Sequence, residues 1–148
     1  MKQALRKIRL LCDLDDGQLE RIAAIASIER VKTGDIVVEE QGPANSIRAV
    51  AEGRVSIAVS VPGRGELPVC TVSVGEILGW SALLPQARWL ATARAVKDTT
   101  LIVLRGAALL DLYEQDRELG YRVMHRTFET VAERLHDTWL QLMDSYRQ

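Results

Sequence analysis

Between Ile28 and Leu104 short β-prone runs alternate with tight turns, and few folds accept that rhythm. The runs are Ile36 to Val38, Ile47 to Ala51, Val55 to Val61, Val69 to Val74, Leu90 to Ala95 and Thr99 to Leu104. Between them stand Thr33-Gly34-Asp35, Gln41-Gly42-Pro43, Glu52-Gly53-Arg54, Pro62-Gly63-Arg64-Gly65, Gly75-Glu76 and Lys97-Asp98, most of them built around a glycine that permits a sharp reversal. Runs this short cannot cross between distant parts of a sheet, so the pattern predicts a compact antiparallel roll or sandwich.

Both flanks of this region are helical in pattern. Leu5, Ile8 and Leu11 predict a short helix docked on the body rather than one lying on a membrane. Lys2, Arg6, Lys7 and Arg9 interrupt any apolar run of signal-peptide or membrane-spanning length, so a soluble, cytoplasmic protein is expected. Asp15 and Asp16 can cap a second helix carrying Leu19, Ile22, Ala23, Ile25 and Ala26 on one face. After Gly106 come a short helix, Ala107 to Tyr113, and a long one free of proline that reaches almost to Gln148. Along the long helix Met124, Phe128, Val131, Leu135, Trp139, Leu142 and Tyr146 step by three or four residues, a heptad-like apolar seam that one small roll cannot cover. A homodimer through this C-terminal helix is the expected answer. Arg122, Arg126, Glu129, Glu133, Arg134 and Asp137 flank the seam and read as a solvated face of mixed sign.

With 148 residues, 47% of them hydrophobic, the chain suffices for one core, so a single domain is expected: N-terminal helices over 1–28, roll over 29–105, helices over 106–148. The net charge of -1 offers no overall attraction for nucleic acid. Cys12 and Cys70 sit in apolar surroundings without metal-ligand spacing and read as buried free thiols in a reducing compartment. His125 and His136, on the long helix, lie too far apart along it to share a metal ion. No nucleophile, base and orienting acid form a motif, and Pro62-Gly63-Arg64-Gly65-Glu66 lacks the lysine and hydroxyl residue of a phosphate loop. Neither a catalytic residue, nor a metal, nor a cofactor is expected.

The order helix, glycine-punctuated roll, short helix and long helix resembles the sensor domain of the cyclic AMP receptor protein family. The resemblance rests on Gly34-Asp35, Glu40-Gln41-Gly42, Val50-Ala51-Glu52-Gly53-Arg54-Val55, Gly75-Glu76-Ile77-Leu78-Gly79 and Ala91-Thr92-Ala93-Arg94-Ala95, in that order over nearly the whole chain. It implies an α+β, mainly β fold: a jelly-roll, or double-stranded β-helix, with N-terminal helices and a long C-terminal helix. Regulators of that family carry a helix-turn-helix after the long helix; this sequence ends within the helix, so no direct DNA binding is expected.

The resemblance also implies a phosphate-binding cassette after Gly79, in which a glutamate takes the ribose and an arginine followed by a small residue completes the anion site. Here Trp80 stands where the glutamate is expected, Trp89 where the arginine is expected and Leu90 where the hydroxyl residue is expected. A charged hydrogen bond contributes about 1.5–3 kcal/mol, so losing both charges implies binding of ordinary cyclic nucleotides weaker by several powers of ten. Arg88 lies one residue from the expected position and needs a bulge to reach it, because one step along a strand reverses the side chain. Ser81 reads as a helix cap. The expectation is a non-catalytic regulatory or protein-interaction module with a degenerate cassette and a protein partner that the sequence does not identify. The alternative is a small-molecule sensor, holding a cyclic nucleotide through Arg88 or an aromatic ligand between Trp80 and Trp89.

Overall fold

In the computed structural model, which describes residues 1–147, Asp15 opens α2 (Asp16–Ile25) with a reciprocal cap. Its carboxylate accepts from the Gln18 amide at 2.8 Å, and the Gln18 side-chain oxygen accepts from the Asp15 amide at 3.1 Å. Before it, α1 (Lys2–Arg6) and a 3-10 turn at Arg9–Leu11 bury Leu5, Ile8 and Leu11, so the N-terminal helix docks on the body. Cys12, expected to be buried, is exposed: the chain turns outward just after Leu11, and only Cys70 is partly covered.

Among the described residues, eight antiparallel strands form two sheets. The first, in the order β1-β8-β3-β6, contains β1 (Ala26–Val31), β8 (Thr99–Arg105), β3 (Ser46–Glu52) and β6 (Ile77–Leu78). The second, β2-β7-β4-β5, contains β2 (Ile36–Val38), β7 (Thr92–Ala95), β4 (Val55–Val61) and β5 (Gly65–Val72). β1 begins inside the segment expected to be helical because Ala26 already pairs with Leu104. β5 starts well before the expected Val69, since the turn at Gly63 and Arg64 closes directly into a hairpin with β4. That strand is an edge, where Pro68 does no harm by lacking an N–H.

Two apolar clusters result. Val38, Val50, Val55, Val72, Trp89 and Leu101 fill the space inside the roll, while Leu19, Ile22, Ile47, Ile102, Leu109 and Val123 join the first sheet to the helices. α3 (Gly106–Gln115) leads through Asp116, whose carboxylate caps the next helix at the Leu119 amide, into α4 (Arg117–Tyr146). Gly120 lets the two helices close up: a methyl group there would stand 2.8 Å from Cβ of Tyr113. α4 buries only Leu119, Gly120, Val123 and Thr127, and from Leu135 to Arg147 every residue is exposed.

Candidate ligand site in the roll

Gly79 ends β6 at φ +89°, a left-handed conformation that favours glycine. A methyl group at this position would lie 2.7 Å from the Ser46 carbonyl oxygen and 2.9 Å from the Trp89 ring. The backbone then makes a single 3-10 turn, Trp80–Leu83, with no side-chain cap. Ser81, expected as that cap, instead lines the cavity below, because Gly79 occupies the capping position. So short a turn sums few peptide dipoles and offers little to an anion.

Trp89 lies inside the roll, only 7% exposed. Its amide donates to the Gly42 carbonyl and its carbonyl accepts from the Gln41 amide, both at 2.9 Å, which fixes the backbone while the ring packs beneath Gly79. Leu90, the next residue, turns outward and is 77% exposed. Arg88 is also exposed: its backbone bridges to Pro43, its guanidinium lies 3.5 Å from the Gln41 carbonyl, and it is not among the residues lining the cavity. No bulge brings it inward.

Trp80 behaves differently from Trp89. It is half-buried at the mouth, and the Arg134 guanidinium of α4 lies 5.3 Å from the centre of its ring, a cation–π contact. Arg134 also donates to Cys70 Sγ at 3.2 Å and to the Ile77 carbonyl at 3.4 Å. Burial pushes the Cys70 thiol above its ordinary pKa, with the Arg134 charge opposing, so a neutral thiol faces the guanidinium at neutral pH. Reading Arg134 as part of a solvated face missed it; the available signal was a polar stripe of Thr127, Thr130 and Arg134 stepping along α4 about 100° round from the seam.

Beneath these groups a cavity of about 110 Å³ is walled by Val38, Ile57, Leu78, Trp80, Trp89 and Arg134, among others. A wider groove of about 380 Å³ continues past Trp80 and Arg134 between β5 and α4. The seam residues Met124, Phe128, Leu135, Trp139 and Leu142 are all exposed, Phe128 at 72%, and Val131 is half-buried. The site brings together no nucleophile with a base, and no group of three metal-ligating side chains occurs among the described residues.

Comparison with known proteins accords with this geometry. A solved protein from Geobacter metallireducens GS-15, named for cyclic nucleotide binding, is 30% identical, with 90% of this chain and 97% of that one covered and a TM-score of 0.77. The catabolite activator protein of Thermus thermophilus shares the fold at 23% identity and a TM-score of 0.77, with 90% of this chain and 61% of that one covered. A protein of Rhodopseudomonas palustris named as a potassium channel is 26% identical over 79% of this chain, which spans 28% of that protein's length. Residues 28–116 match the family model described as the cyclic nucleotide-binding domain, and with the roll, the cassette turn and the long helix already in place, the chain belongs to that family.

Proposed function

We propose that this domain is a non-catalytic regulatory module whose roll is closed to ordinary cyclic nucleotides and whose signal passes through α4 to a second copy and to a protein partner. The supporting observation is the buried ring of Trp89 beneath Gly79, where the family resemblance leads one to expect an arginine. About 110 Å³ remains inside the roll, against roughly 300 Å³ or more for an ordinary small-molecule site. That inner space alone does not enclose a purine, a ribose and a phosphate, and neither an arginine nor a glutamate stands at the positions where the resemblance implies them. Titration calorimetry with cyclic AMP and cyclic GMP is expected to give no saturable micromolar binding; a micromolar isotherm with either would overturn the proposal.

Self-association through Met124, Phe128, Val131, Leu135, Trp139 and Leu142 is part of the same reading, since a lone copy leaves this stripe in water. The free thiols Cys12 and Cys70 suit a reducing, cytoplasmic setting, and no helix among the described residues is long and apolar enough to cross a membrane. A second reading, that the roll senses a smaller molecule, draws its support from the space left between Trp80 and Trp89 with a guanidinium at its edge.

A further inference from the structure

Arg134 is the one charged residue lining the inner cavity; the rest of the lining is Val38, Ile57, Leu78, Trp80 and Trp89 with small or apolar neighbours. Its guanidinium has no carboxylate within ion-pair distance among the described residues and spends its donors on a neutral sulfur and one long bond to a carbonyl. Both are weak partners for a half-buried cation, so a stronger acceptor entering the cavity would displace them. The space sets the size of that acceptor. Cavities of about 150 Å³ hold benzene, so 110 Å³ takes in part of one ring or a short branched chain, the remainder standing in the mouth beside Arg134 where the wider groove begins. A single cation with a planar fork of donors matches a monocarboxylate, whereas a dianionic phosphate would leave an unpaired charge in an apolar site.

From these facts we propose that the roll is a receptor for a small organic monocarboxylate, its apolar body held between Trp80 and Trp89 and its carboxylate on Arg134. This rests on the second reading above, that the roll senses a small molecule, and names the class. The ligand would draw the guanidinium away from Cys70 and from the Ile77 carbonyl. Because Arg134 immediately precedes Leu135 of the seam, occupancy is thereby coupled to the position of α4.

The probes are benzoate, its neutral isostere benzamide, acetate and cyclic AMP, each titrated into the full chain by calorimetry and tryptophan fluorescence. Benzoate is expected to saturate one site per chain about tenfold or more tighter than benzamide, with acetate silent for want of a body. Arg134→Gln is expected to bring benzoate down to the level of benzamide without moving benzamide, and Arg134→Lys to keep part of the preference. Equal binding of benzoate and benzamide, or an unchanged benzoate isotherm in Arg134→Gln, would overturn the carboxylate assignment while leaving the cavity in use. Silence from both aromatic probes would remove the small-molecule reading itself, and micromolar cyclic AMP binding would remove the closed roll.

Discussion

Trp89 serves packing inside the roll. Its ring supports Gly79 from below and meets the backbone at Gly42, so truncation leaves a hole that rigid glycine turns cannot close. Trp89→Ala is therefore expected to cost about 3–5 kcal/mol, read as a lower midpoint in chemical denaturation. Trp80→Ala, at the mouth, should cost far less because water and Arg134 can occupy the space it vacates. Tyr113 makes the opposite case: its hydroxyl is buried without a hydrogen-bond partner, and burial holds its pKa well above the ordinary phenol value. Removing that oxygen in Tyr113→Phe is expected to leave thermal stability unchanged or raise it by about 1 kcal/mol; a clear loss would reveal a partner for the hydroxyl. At this scale the sequence drew attention to both tryptophans, but their division of labour was not legible. Which ring is buried depends on the turns at Gly42 and Gly79 meeting across the roll, and neither sequence neighbourhood contains the other.

Among the elements, α4 adds charged straps to the apolar contact made by Leu119 and Val123. Arg126 pairs with Asp13 at 2.7 Å and Arg9 donates to Glu133 at 2.8 Å, tying the N-terminal helices to the long one. The guanidinium bonds hold the Asp13 and Glu133 carboxyls below their ordinary values. A carboxyl with a depressed folded-state pKa adds stability that is complete above its unfolded value and is lost as pH falls through the folded one. The straps should thus persist at neutral pH and release only as pH falls below the ordinary carboxylate range, and because the groups are exposed, high salt should weaken them too. Hydrogen-exchange protection factors, corrected for the intrinsic pH dependence, are expected to fall at the Arg9–Leu11 turn under either condition; protection independent of both would show that the buried Ile8 and Leu11 suffice. The element pattern was legible wherever a strand buries one face, as in Val55 to Val61, which matches β4. It faded in β5, whose exposed edge carries Glu66 and Pro68 and therefore little β signal. The flank of α4 misled for a similar reason: the partners of Arg126 and Arg134 lie far off in sequence, so charges that anchor look the same as charges that merely face water.

For the molecule as a whole, the exposed seam is the surface that the proposed self-association would cover. Leu135→Asp places a charge in the middle of it and is expected to yield monomers by light scattering with an unchanged circular dichroism spectrum; a persisting dimer would put the contact elsewhere. The seam also carries a finer signal than its heptad-like stepping. Met124, Leu135 and Tyr146 are each separated by 11 residues, as are Phe128 and Trp139, and Val131 and Leu142. An 11-residue repeat slightly exceeds the natural helical period, so the paired helices should run nearly straight or with a faint right-handed coil.

α4 continues beyond Arg134 for a further turn-by-turn run of exposed residues to Tyr146, about 18 Å at 1.5 Å per residue. Under the proposed coupling that overhang would act as a lever arm with its fulcrum at the Trp80 ring, and Gln141 reaches from it to the Val69 carbonyl at 3.0 Å. A tilt of about 10° at the fulcrum would carry the tip roughly 3 Å, so a displacement slight inside the roll would be larger at the far end of the helix.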